Sequence, residues 1–83
     1  MTNKCPILVI DDSEDDRLLY RRTLLKSGDH YHINEAADGE EGLKRLQLDT
    51  PDCVLLDYSM PGRNGVEILK RIRAKHPFVP VVI

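Results

Sequence analysis

Asp11 and Asp12 follow directly on the apolar run Ile7-Leu8-Val9-Ile10, and Asp57 follows on Cys53-Val54-Leu55-Leu56. Three carboxylates therefore leave the chain at the ends of what read as two buried β-strands. Strand exits are where open α/β sheets bind their ligands. If the two strands are parallel neighbours, roughly 4.8 Å apart, the acids enter one small volume, where they share a cation or repel one another. Two carboxylates about 4 Å apart repel by about 4 kcal/mol at an effective dielectric of about 20. Without a metal, one of them is expected to hold its proton above the usual carboxylate range. In outline this is a metal-assisted site for an anion or a phosphoryl group.

The elements that must position these acids alternate. Residues 6–10 are continuously apolar, as in a strand covered on both faces. Ser13 is placed to cap a helix through the amide of Asp16, with Glu14, Asp15 and Asp16 adding negative charge to the first turn. That helix is expected to run to about Lys26, with Leu18, Leu24 and Leu25 inward and Ser27-Gly28-Asp29 as its end. Residues 30–36 mix His30, His32, Asn34 and Glu35 with Tyr31 and Ile33, a polarity that suits an edge strand.

Asp38-Gly39 opens a second helix with Leu43 and Leu46 inward, and Thr50-Pro51-Asp52 closes it. Cys53 to Leu56 reads as a third strand, and Asp57 to Gly65 as irregular loop. A third helix starts near Val66, with Val66, Leu69 and Ile72 as its stripe, and stops at His76-Pro77 before the apolar run Phe78 to Ile83. The order β-α-β-α-β-α-β predicts an α/β fold with a parallel sheet and right-handed crossovers. Placing the polar second strand outside gives the spatial order 2-1-3-4. Strands one and three are then neighbours, and their carboxyl edge is the switch point where a cleft opens. This is a partial flavodoxin-like doubly wound sheet of four strands and three helices.

At 83 residues the chain is one domain at most, burying only about 60–65% of its extended surface. A net charge of −2 gives no bulk attraction to nucleic acid or anionic membrane. No segment reads as a signal peptide or a membrane span, so a cytoplasmic chain with no membrane partner is expected. Cys5 and Cys53 lack metal-motif spacing and read as free thiols, Cys53 as a small core residue. His30, His32 and His76 lack metal spacing and are expected at the surface. Arg21, Arg22, Arg71 and Arg73 read as solvated helix faces.

Ile7-Leu8-Val9-Ile10-Asp11-Asp12, Ala37-Asp38-Gly39, Asp57-Tyr58-Ser59-Met60-Pro61-Gly62 and Asn64-Gly65, at these separations, resemble the receiver domain of two-component response regulators from about Lys4 to Ile83. The resemblance implies that Asp57 accepts a phosphoryl group from the phosphohistidine of a histidine kinase or phosphotransfer protein. It also implies that Asp12, Asp57 and the backbone carbonyl of Ser59 bind Mg²⁺, with Asp11 holding the ion through water. In the family a hydroxyl residue after the fourth strand and a lysine ending the fifth carry the switch, and none of Lys4, Lys26, Lys44, Lys70 and Lys75 occupies that place. Residues 1–83 are therefore expected to be the N-terminal part of a single receiver domain, truncated before the fifth strand and impaired in switching. The apolar run 78–83 is expected to join copies of the chain, most simply as a two-fold dimer.

In isolation Asp11-Asp12, like Asp38, would serve as helix caps, and the alternative to a phosphoacceptor is an interaction or oligomerisation fragment with vestigial acids. An aspartyl-phosphate hydrolase is disfavoured because Ser13 and Ser59, not acids, stand two residues after Asp11 and Asp57. A calcium loop is disfavoured because Asp11 to Asp16 lacks the turn glycine and the distal glutamate. The chain is therefore expected not to be an enzyme in its own right beyond promoting its own phosphorylation and dephosphorylation.

Overall fold

The structure, a computed structural model, describes residues 4–28, 30–57 and 65–83. Its elements run β1 (Cys5–Ile10), α1 (Glu14–Lys26), β2 (Tyr31–Ala36), α2 (Gly39–Leu48), β3 (Cys53–Leu56), α3 (Gly65–Lys75) and β4 (Val81–Val82). The four strands form one parallel sheet in the order β2-β1-β3-β4, as the polarity of β2 and the apolarity of β1 and β3 require. Ile7 lies opposite Ile33 and Cys53, and Ile10 opposite Ala36 and Leu56. Because strand side chains alternate between faces, Leu8, Ile10, Val54 and Leu56 share one face while Ile7 and Val9 share the other.

The first face holds the main core. Leu8, Ile10, Ala36, Val54 and Leu56 are buried with Leu46 of α2, Ile68 and Ile72 of α3, and Val79. Asp38 caps α2 by accepting from the Glu41 amide at 2.8 Å, and Glu41 reaches back to accept from the Ala37 amide at 3.2 Å. Gly42 lets α2 lie close on β1, since a Cβ there would collide with the Ile10 side chain.

On α3 the buried positions are Gly65, Ile68 and Ile72, rather than the expected stripe of Val66, Leu69 and Ile72. A strict three-residue step drifts by roughly 60° per step around a helix of 3.6 residues per turn, so the alternation of three and four residues wins. Leu69 still packs against the core from its margin.

On the opposite face α1 starts as expected, with the Ser13 hydroxyl accepting from the Asp16 amide at 3.2 Å, and it ends at Gly28, whose φ of +119° suits glycine. Its expected inward stripe is not sealed. No residue of α1 is buried, and Leu18 and Leu25 remain 37% and 49% exposed. Among the described residues α1 is the single helix on this face, so no second helix flanks it. Adjacent Leu24 and Leu25 are also about 100° apart around the axis and cannot both face the sheet. Cys53, on the same face, is half-buried rather than core, and both cysteines are free.

The run 78–83 forms a shorter strand than its apolarity suggests. Pro80 supplies only a carbonyl, which accepts from the Val54 amide at 2.9 Å, and pairing continues through Val81 and Val82. Val79 turns inward while Phe78 is 94% exposed. Arg73 donates to the carbonyls of Pro77 and Val79 and so fastens the turn after α3. His30 and His32 are exposed as expected, whereas His76 is half-buried. Among the described residues no helix is long and apolar enough to cross a membrane.

Candidate metal centre

The ladder of hydrogen bonds runs on past the strands and fixes the backbone of the acids. The Asp11 amide donates to the Ala36 carbonyl at 3.0 Å, and the Asp57 amide donates to the Ile10 carbonyl at 2.8 Å. β1 and β3 thereby deliver Asp11, Asp12 and Asp57 to one place: each offers a carboxylate oxygen, and these atoms all lie within 4.8 Å of one another.

The three acids differ in exposure. Asp12 is exposed and Asp57 half-buried, while Asp11 is buried at 2% exposure, the one buried charged side chain among the described residues. Burial pushes the Asp11 carboxyl above its usual range. The Ser13 amide, donating to Asp11 Oδ1 at 2.9 Å, opposes the shift, and the like charges of Asp57, Asp16 and Asp12 add to it. An all-oxygen cluster with one desolvated acid at its base fits a hard divalent cation, whose charge relieves both the burial and the repulsion.

The sequence-predicted acids thus come together, whereas Ser59 and Tyr58 lie outside the described residues. Glu14, Asp15 and Asp16 are exposed on the first turn of α1, as expected of helix-start charges. Arg71 is exposed and pairs with Glu40 at 2.7 Å.

Two neighbours of the site escaped the sequence reading. Tyr20 of α1 lines an apolar recess with Ile10, Leu55, Leu56, Asp57, Val82 and Ile83. Burial raises its hydroxyl pKa, with Asp11, Asp16 and Asp57 adding to the shift. Arg17 reaches the carbonyl of Asp11 itself at 2.6 Å. The signal for Arg17 was its place one turn into α1, because long helical side chains lean back toward the N-terminus, here toward the exit of β1.

Residues 7–83 match the family described as the response regulator receiver domain. The chain belongs to this receiver family. The receiver is 36% identical over 77 residues to the alkaline phosphatase synthesis transcriptional regulatory protein PhoP of Bacillus subtilis, a match covering 93% of this chain and 31% of that one. It thus spans about a third of that relative's length. Among solved structures, response regulator TrrA from Thermotoga maritima in complex with Mg(2+)-BeF superposes with a TM-score of 0.87 at 37% identity, covering 95% of this chain and 67% of that one. A crystal structure of histidine kinase ThkA in complex with TrrA matches with a TM-score of 0.83 at 38% identity, covering 93% of this chain and 65% of that one. The α/β architecture and the strand order of the receiver agree with these neighbours.

Proposed function

We propose that this receiver accepts a phosphoryl group on Asp57 from the phosphohistidine of a histidine kinase or phosphotransfer protein, with Mg²⁺ held by Asp11, Asp12 and Asp57. The observation that carries this reading is the convergence of three carboxylates at the exits of adjacent parallel strands. The Mg(2+)-BeF complex of TrrA and the complex of TrrA with a histidine kinase support it by family membership. The Ser59 carbonyl, as a further ligand, rests on the sequence resemblance.

A carboxylate oxygen of Asp57 attacks phosphorus, the phosphorus–nitrogen bond breaks, and its electron pair returns to the donor imidazole, leaving an acyl phosphate on Asp57. When bound, Mg²⁺ offsets the like charge of the attacking carboxylate and the phosphoryl oxygens. The chain's own contribution is positional. The Asp57 backbone is pinned to Ile10, so the nucleophile stands at a fixed height above the sheet edge, and Asp11 holds negative charge in a desolvated place where a cation gains most. The domain is an acceptor consumed once per transfer, not an enzyme that turns over.

Incubation with acetyl phosphate and Mg²⁺, read by intact mass, is expected to give a labile adduct of one phosphoryl group that is lost in Asp57→Asn. A second reading, an assembly module joined through residues 78–83 with acids that do no chemistry, draws on the exposed side chains of Phe78, Val82 and Ile83. No adduct, together with a concentration-dependent dimer by light scattering, would favour it.

A further inference from the structure

The guanidinium of Arg17 joins three elements. From α1, one nitrogen (Nη1) donates to the main-chain carbonyl of Asp11 at 2.6 Å and Nε donates to Glu35 Oε1 of β2 at 3.3 Å. The Arg17 and Glu35 side chains are only 15% and 20% exposed, and Arg21 binds the second oxygen of Glu35. This is not the solvated helix face that arginines on α1 would ordinarily form.

The bonded carbonyl belongs to the peptide that links Asp11 to Asp12. Its direction is set by ψ of Asp11 and φ of Asp12, so holding the carbonyl restrains both dihedrals, and an uncompensated change in either would turn the Asp12 carboxylate away from those of Asp11 and Asp57. Its surroundings are fastened at three points: the Asp11 amide to Ala36, the Ser13 amide to Asp11 Oδ1, and the Asp11 carbonyl to Arg17. Of these three, the last comes from a charged side chain on another element, itself anchored on a neighbouring strand through Glu35.

We propose that Arg17, buttressed by Glu35, is a positioning residue that holds the Asp11-Asp12 peptide in the orientation that presents both carboxylates to Mg²⁺. The proposal rests on the Mg²⁺ reading of the site. The role needs an arginine, because a planar fork donates in two fixed directions at once while an ammonium offers charge without that geometry. Glu35 offsets much of the cation's repulsion toward a bound metal, so the benefit is one of orientation.

The test is calorimetric titration of Mg²⁺ alone into the wild-type chain and into Arg17→Gln, Arg17→Lys and Glu35→Gln. Residues that orient metal ligands typically change metal affinity by roughly 10- to 100-fold, and a loss in that range is expected for both Arg17 variants, with a smaller loss for Glu35→Gln. Phosphorylation by acetyl phosphate should recover to near the wild-type rate at saturating Mg²⁺, a split that general loosening of the fold would not produce. Thermal unfolding in chelator identifies which variants remain folded, and Glu35→Gln and Arg17→Lys carry the test should Arg17→Gln unfold. Unchanged Mg²⁺ affinity in the folded variants overturns the proposal, as does full recovery by lysine, which would reduce Arg17 to a charge. A wild-type chain that binds no Mg²⁺ overturns the reading of the site, and this proposal with it.

Discussion

Under α2 and α3, Leu46, Ile68 and Ile72 are sealed against Leu8, Ile10, Val54 and Leu56, whereas α1, on the opposite face, packs against β2 without burying any of its own residues. The bonds that tie α1 to the rest of the fold are polar: the Ser13 cap, the Arg17 and Arg21 pairs with Glu35, and the Arg17 bond to Asp11. The difference separates two tasks. Burial on one face supplies the cohesion of the sheet, and directional bonds on the other orient the acids at its edge.

The largest expected effect that would break this division comes from the packed face. Ile68→Ala, at a fully buried position, is expected to cost about 2–5 kcal/mol, read by urea unfolding, and a cost under about 1 kcal/mol would mean that the core is less sealed than described. Next comes the metal. Mg²⁺ at about 100 times its dissociation constant should add about 2.7 kcal/mol to stability at neutral pH, and an unmoved melting temperature would count against the site.

Asp11 sharpens the same contrast, because it is a charged side chain buried at the sheet edge. Its folded pKa is raised, so in the metal-free protein the folded chain binds this proton more tightly than the unfolded chain does. Its ionisation therefore weighs against the fold at neutral pH. That penalty is relieved as the pH falls through the raised pKa, and it is gone below the ordinary carboxylate range. Asp11→Asn keeps an acceptor for the Ser13 amide, so it should raise the metal-free melting temperature at pH 7, flatten its acid dependence and lose the response to Mg²⁺. A lower melting temperature at pH 7 would contradict this account.

Two smaller effects test the α1 side. Ser13→Ala should cost about 1 kcal/mol by loss of the cap. Leu19→Ala, at 60% exposure, should stay within about 0.5 kcal/mol of wild type; a larger loss would show that α1 is held by packing after all.

These asymmetries were only partly legible in the sequence. The contrast between apolar β1 and β3 and polar β2 is enough to order the strands, and the acids at two strand exits are enough to locate the site, because both follow from local composition and topology. The burial of α1 was not legible: its leucines carry an amphipathic pattern, but how deeply they sink depends on what else shares the face. The length of β4 was masked by the apolarity of residues 78–83, which packing at Val79 and the missing amide of Pro80 divide. Arg17 and Glu35 are 18 residues apart in the chain, and charge spacing along one helix gives no view of a partner on a distant strand.

Ile10 ties the two halves of the molecule together. Its side chain fills the space that Gly42 leaves open beneath α2, and its carbonyl receives the amide of Asp57. A methyl group added at Gly42 would therefore act as a wedge at the back of the strand, with the displaced isoleucine as the lever and the main chain of Asp57 at its far end. A bulkier residue in α2, touching none of the acids, would be a remote handle on where the Asp57 carboxylate stands.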